Sequence, residues 1–309
     1  MTERMFLRAL SVLFGCAIAF SGLTAEISTN DAARPIKPFT PVQPGVLDGR
    51  IAYVAARILE QVQMQKHPFD DAFSEKFFDK YLEALDPQHL HFTQQDLSNF
   101  EKYRTRLDNL TISSKFLADT SPAAEIFNTY MKRLEQRIAY SKELLEDEKN
   151  FQFNADEKVL VNRKDAPYPK DMNEVRQLWQ QRLRYEYLQE KLGKLDEKPK
   201  AKTQGAKDKP EAKKQSQHEE IAETLVNRYN RTLRMFVDWN MQDVLQIYLR
   251  TLAQVYDPHS DYMSREQLES FAIGMNLSLF GIGAELQSED GYCIIRKLLP
   301  NGPADKSKK

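Results

Sequence analysis

The sequence predicts a mainly α-helical chain that ends in the beginning of a small β-rich segment. Three observations carry this prediction. Glycine is scarce, with 11 in 309 residues, while Leu, Glu, Lys, Gln and Ala, the residues that tolerate helix best, are plentiful. From Ile51 to Val255 apolar residues recur at spacings of three and four, the period of one helix face. After Phe271 that period gives way to alternation, with an Asp290-Gly291 step between two β-prone runs, which is a hairpin signal.

Length and charge bound the function. A chain of this size allows about two domains, and 41% hydrophobic residues supply a core. Lys plus Arg number 44 against 45 Asp plus Glu. Such a balance gives nucleic acid no basic surface to bind, so no nucleic-acid partner is expected.

The N-terminus reads as a signal peptide over residues 1–25. Arg4 and Arg8 precede the apolar run from Ala9 to Leu23, which is too short to span a bilayer comfortably. Small residues follow, ending in Thr24-Ala25. An uncleaved membrane anchor is the competing reading. Leu13-Phe14-Gly15-Cys16 resembles a lipoprotein box, but Phe14 and the apolar residues after Cys16 fit it poorly. Cleavage removes Cys16 and leaves Cys293 alone, which excludes an internal disulfide. Between Tyr292 and Ile294, Cys293 reads as a small apolar strand residue and not as a reactive thiol. No second run reaches spanning length, so the mature protein is expected to be exported and not integral to a membrane.

The elements follow in order. Residues 26–47 carry several prolines and read as an irregular lead-in. Ile51, Val54, Ala55, Ile58, Leu59 and Val62 mark the first helix face, with Pro68 as its stop. Phe73, Phe77, Phe78, Tyr81, Leu82 and Leu85 mark a second, closing at Asp86-Pro87. Thr93 and Asp96 form a capping-box pattern for a third helix, with Leu97, Phe100 and Leu107 inward. Ser121-Pro122 reads as an N-cap and a first-turn proline, opening a helix to about Phe151 with Ile126, Tyr130, Leu134, Ile138 and Leu145 inward. Val175, Leu178, Trp179 and Leu183 mark the next. Residues 194–218 are lysine-rich, mixed in charge and nearly free of large apolar side chains, and they predict a disordered insertion. A basic binding patch is the alternative there, opposed by the interleaved acids. Ile221, Leu225, Tyr229, Leu233 and Phe236 resume the helical period. Val244, Ile247, Tyr248, Leu252 and Val255 continue it to Asp257-Pro258.

One pattern occurs twice. In "ALDPQHLHFTQQDLSNF" (84–100) and "VYDPHSDYMSREQLESF" (255–271), Asp86 matches Asp257, Pro87 matches Pro258, Thr93 matches Ser264, Leu97 matches Leu268 and Phe100 matches Phe271, all at one offset. An aromatic-rich helix stops before Asp-Pro because the residue before proline resists the helical conformation. A Thr or Ser then caps a new helix whose Leu and Phe face inward. His259 and Asp261 face Gln88 and Leu90, so the frame recurs and the candidate ligands do not. His259 is therefore read as a turn residue whose ring bonds nearby backbone, with a metal or catalytic role as the alternative. His89 and His91 alternate but lack a third ligand in sequence. No metal, cofactor or catalytic residue is assigned.

Near the end, Gly281-Ile282-Gly283 precedes a strand. A dinucleotide loop would want a third glycine and a following helix. Amides freed by glycines beside a strand edge instead suit a peptide's terminal carboxylate, with the rest of the peptide adding a strand. A tight turn or a phosphate loop remains the alternative.

These residues resemble a family. "DPHSDYMS" followed by "MNLSLFGIGAELQSEDGYCIIRKLLPNGPA", together with "AFSEKFFDKYLEALDPQHLHFTQQDL", is similar to the tail-specific, or carboxy-terminal processing, proteases of Gram-negative bacteria. The likeness runs from about residue 48 to 305, apart from the lysine-rich insertion. It implies that residues 48–271 are the helical N-terminal domain and that 272–309 begin a PDZ-like domain. In that domain Phe280, Gly281, Ile282 and Gly283 form the carboxylate loop for apolar C-terminal tails of protein substrates. It further implies a periplasmic location and endoproteolysis by a serine nucleophile with a lysine base. The expected domain and core continue past Gly302-Pro303-Ala304, so this stretch is expected to bind weakly or not at all and to be inactive alone. A helical module that docks to a partner or adaptor is the competing reading.

Overall fold

The computed structural model describes residues 36–307 apart from 64–66, 114, 155, 197–215, 277–280 and 290–291. The expected signal peptide, the start of the lead-in, most of the lysine-rich insertion, Phe280, the Asp290-Gly291 step and the Cys293 side chain lie outside the described residues. The chain divides into a helical unit, Pro35–Met275, and a unit that contains residues 276–309.

In the helical unit, α1 (Val46–Val62) starts at Gly45, whose N–H donates to Asp48 Oδ2 at 2.8 Å. Its buried residues are Asp48, Gly49, Ala52 and Ala56, while of the stripe that the sequence predicts Ile51, Ala55 and Leu59 pack on the core half-buried. The cause is a close backbone approach. A Cβ on Gly49 would lie 2.5 Å from the Ala118 carbonyl oxygen, and the Ala118 N–H donates to the Gly49 carbonyl. Only small residues allow that distance, so Val54, Ile58 and Val62 turn outward and are exposed.

The helix α2 (Asp71–Leu85) is capped by Asp70, which accepts from the Phe73 N–H. Its predicted aromatic face is buried in full and packs on α8 (Met241–Tyr256). Phe77 lies 4.5 Å from Tyr248 between ring centroids, and Phe73 lies 4.2 Å from Tyr256. Rings of this size dominate the area removed from water, so this pair of helices is the centre of the core. The cap of α8 is Asn240, in a reciprocal box with Asp243.

Next come α3 (Gln94–Phe100), a 3-10 turn at Glu101–Tyr103 and the short α4 (Leu107–Thr111). The predicted third helix is thus broken into pieces, although Leu107 is buried as expected. Helix α5 (Ser121–Leu145) begins one residue earlier than predicted, with Thr120 and not Ser121 at the cap position and Pro122 in the first turn. It ends at Leu145, before a 3-10 turn at Glu148–Phe151 that the sequence pattern had merged with it. Helices α6 (Met172–Asp196) and α7 (Gln217–Val237) pack on α5 and on each other. All five α7 residues predicted to face inward are buried. The cap of α7 is Ser216, in a box with Glu219, and His218 reaches Tyr187 and the Leu145 carbonyl. The last helix of the unit, α9 (Arg265–Asn276), continues past Phe271. Leu268 and Phe271 on it are exposed and not inward as predicted.

The lead-in is more regular than expected. Pro38, Pro41 and Pro44 recur every third residue and are exposed. Ile36, Phe39 and Val42 recur at the same spacing and turn toward the core. Three residues per turn is the period of a polyproline II helix.

In the second unit, β1 (Ala284–Glu289) pairs antiparallel with β2 (Tyr292–Leu298), with a register shift between Glu285 and Leu286. A short helix, α10 (Pro303–Ser307), follows. Ten helices and one two-stranded sheet among the described residues make the protein mainly α.

Candidate functional site

The glycine loop is built from both ends of the hairpin. Gly283 has φ +73°, the left-handed region that favours glycine. A Cβ there would also lie 2.9 Å from Gly302 Cα and 3.1 Å from Pro303 Cδ. Two carbonyls of the loop are already used: Gly283 accepts from the Leu299 N–H and Ile282 from the Ala304 N–H, each at 2.8 Å. Among the described residues, no acceptor takes the N–H groups of Gly281, Ile282 or Gly283. A run of backbone donors with its carbonyls turned away is the chemistry of an anion site. The outer edges of the two-stranded sheet have no strand partner among the described residues, and an open edge accepts an added strand. The Ile282, Leu286 and Ile295 side chains are exposed beside it. Gly281, Ile282 and Gly283 thus share one loop, whereas Phe280 falls outside the described residues.

The histidines are held apart in separate roles. At the first Asp-Pro corner the buried Asp86 carboxylate accepts from the backbone N–H groups of Leu90, His91 and Phe92 and lies 3.1 Å from His91 Nδ1. Burial pushes the Asp86 carboxyl up, but the His91 ring and the amides of Leu90 and His91 outweigh it and hold it below the usual carboxylate value. His89 takes a left-handed φ of 51°, contacts the Ala166 carbonyl through Nδ1 and stacks on Tyr168. At the second corner His259 is exposed. Its backbone N–H and ring Nδ1 both meet the Asp257 carboxylate, at 2.9 and 3.2 Å. The ring partner is therefore a side chain and not the backbone that the sequence suggests. No group of three or more His, Cys, Asp or Glu side chains able to hold a metal occurs among the described residues. No helix among them is long and apolar enough to cross a membrane.

Residues 55–266 match the model of the tail specific protease N-terminal domain. Over 252 residues the chain is 34% identical to the tail-specific protease of Haemophilus influenzae, covering 81% of this chain and 32% of that protein. The chain belongs to the tail-specific protease family. A shorter stretch of 51 residues is 39% identical to the carboxy-terminal processing protease CtpA of Bacillus subtilis, covering 16% of this chain and 11% of that one. The chain thus spans about a third of the length of its Haemophilus relative. Within this tail-specific protease family member, the domain match takes in both Asp-Pro corners and stops before the glycine loop.

Two features escaped the sequence reading. The role of Asp86 as acceptor for three amides depends on how the chain after Pro87 folds back, although the Asp-Pro step marked its place. The side chain of Asn128, which bonds both the Val42 N–H and the Val42 carbonyl of the lead-in, carries no sequence signature, and the three-residue spacing of Ile36, Phe39 and Val42 fits neither the helix nor the strand period.

Proposed function

We propose that this chain is the N-terminal portion of an exported, periplasmic tail-specific serine endopeptidase. In this reading the loop from Phe280 to Gly283 receives the terminal carboxylate of protein substrates with apolar tails. The observation that carries the reading is the split in the loop: the Ile282 and Gly283 carbonyls are engaged, while the Gly281, Ile282 and Gly283 amides have no described acceptor. A carboxylate suits those amides, and the residues before it extend the sheet along an open edge. Exposed Leu286 and Ile295 on the hairpin give apolar side chains of the tail a surface. The reading needs no cofactor.

The cleavage chemistry, with the serine and lysine that the family resemblance implies, belongs to the part of the relative that this chain does not match. Export follows from the pattern of residues 1–25. The helical unit has its own core and flanks the protease body, and an adaptor docking there is compatible with the same role.

The test is a titration of the chain with labelled peptides that end in apolar residues, as free acids and as amides. Binding is expected to be weak, with the free acid favoured at least about tenfold, since charge-assisted bonds to backbone amides are the stronger kind. Equal binding of acid and amide would remove the loop from the reading. Turnover of an unfolded, apolar-tailed substrate by the chain alone would overturn the placement of the chemistry elsewhere.

A further inference from the structure

We propose that α5 carries a receptor site for extended peptides, which the chain fills with its own residues 36–44. The site lies in the helical unit and does not depend on the role assigned to the glycine loop. The Val42 N–H donates to Asn128 Oδ1 at 2.9 Å, and Asn128 Nδ2 donates back to the Val42 carbonyl at 3.0 Å. One carboxamide thus satisfies both backbone groups of one residue, as a neighbouring β-strand would. A helix cannot do this with its own backbone, whose groups are paired internally. Three residues earlier, the Phe39 N–H donates to Glu135 Oε1 at 3.2 Å. The Phe39 ring meets Phe127 edge-on at 5.9 Å, and the Val42 side chain is buried.

These contacts read a backbone plus two apolar side chains three residues apart. Asn128 and Glu135 bond main-chain groups that any non-proline residue offers, so recognition is not tied to covalent attachment. The ligand class is an extended segment of the form apolar-x-x-apolar, kept straight by prolines in the intervening positions. Pro38, Pro41 and Pro44 serve that purpose here because each fixes its own φ and restrains the residue before it. A cleft of about 580 Å³ remains open between the strap and α5, bounded by Pro41, Pro44, Thr129 and Lys132 among others, within the roughly 300–1,000 Å³ of ligand sites. A peptide of the same class from another chain displaces the strap by competing for Asn128.

The attached strap has an effective concentration on the order of millimolar, so the wild-type chain masks its own site. Val42→Asp in the full chain undocks the strap while leaving Asn128, Glu135 and Phe127 in place. The probe is a synthetic peptide of residues 36–45 with neutral ends and a fluorescent label. It should bind the Val42→Asp chain at least about tenfold tighter than wild type. Adding Asn128→Ala to that chain should weaken binding about tenfold, the loss of two backbone hydrogen bonds, and a peptide carrying Asp at position 42 should not bind. A folded Val42→Asp chain that binds no better than wild type overturns the proposal, as does affinity indifferent to Asn128. If Val42→Asp loses its helical circular dichroism, Val42→Ala is titrated in its place under the same criteria. Unfolding of both would show the strap to be inseparable core and would equally overturn the proposal.

Discussion

The two Asp-Pro corners share a frame and differ in nearly everything that the frame supports. At the first, Asp86 is buried and collects three amides and a ring nitrogen. At the second, the partners of the Asp257 carboxylate among the described residues are the amide and ring of His259. The difference lies in the residues between. Leu90 and Phe92 are buried anchors that draw the first turn inward over Asp86. Their counterparts are Asp261, which pairs with Arg250 at 2.6 Å, and Met263, which is half-buried. The Asp-Pro step ends a helix in both copies because that is local backbone chemistry. Whether the turn becomes core is decided by the residues three and one before the cap: Leu90 and Phe92 are buried at the first corner, whereas at the second Asp261 is charged and Met263 is only half-buried.

The comparison can be broken most forcefully at the aspartates. Asp86→Ala orphans three buried amides and the His91 nitrogen, and should cost about 4–5 kcal/mol, measured as a urea midpoint at neutral pH. Asp257→Ala should leave that midpoint unchanged. If the two losses were alike, the environments would not differ as described. Next in size are the paired phenylalanines. Phe100 is fully buried and Phe271 about half exposed, so Phe100→Ala should cost about 3–4 kcal/mol and Phe271→Ala little, by the same measurement.

Acid sharpens the contrast further. Burial works against ionised Asp86 and Asp96. The His91 ring and amides at Asp86, and Arg133 with the Thr93 groups at Asp96, outweigh it and lower both carboxyls from 3.8. A carboxyl whose folded value lies below its unfolded one stabilises fully above the unfolded value, and that contribution is lost as pH falls through the folded one. Stability should therefore hold to about pH 4 and then fall with acid. Asp86→Asn should flatten that fall more than Asp257→Asn, because the Asp257 carboxyl is also held down, by the His259 amide and ring, but is exposed. Urea midpoints at a series of pH values from neutral downward check this.

Much of the helical unit was legible because its helices bury large residues on one face. The inward faces of α2, α5 and α7 follow from spacing alone, and so does the Thr93–Asp96 box. Three features were not legible for physical reasons. The burial of α1 is set by a backbone approach at Gly49, which rewards small residues and inverts the usual guide of bulk. The strap obeys a period of three, which neither a helix nor a strand template detects. In α9, Leu268 and Phe271 copy the sequence of Leu97 and Phe100 without the packing that buries Phe100. In the candidate site, the glycines and the hairpin were visible in the chain. The direction of the Ile282 and Gly283 carbonyls toward Ala304 and Leu299 depends on the turn that brings Gly302 against Gly283, which no local pattern encodes.

The caps give the smallest and most local version of the same contrast. Thr93 Oγ1 accepts from the Asp96 N–H at 3.1 Å, Asp96 Oδ2 accepts from the Thr93 N–H at 2.9 Å, and Arg133 grips the Asp96 carboxylate with two nitrogens. The second corner places Gln267 where Asp96 stands. Ser264 Oγ accepts the Gln267 N–H at 3.4 Å, and Gln267 Oε1 is buried with no partner among the described residues. A neutral amide there has no Arg133 to orient it, so the reciprocal half of the box does not form. Thr93→Ala should cost about 1 kcal/mol, and Ser264→Ala no more than a few tenths, both as shifts in the urea midpoint. Gln267→Glu tests the cause directly, because a carboxylate beside the first-turn amides of α9 is better placed to accept from the Ser264 N–H and to meet the helix dipole. A small gain in stability would show that the second corner lacks only the charge, and no gain would show that the two caps differ in kind.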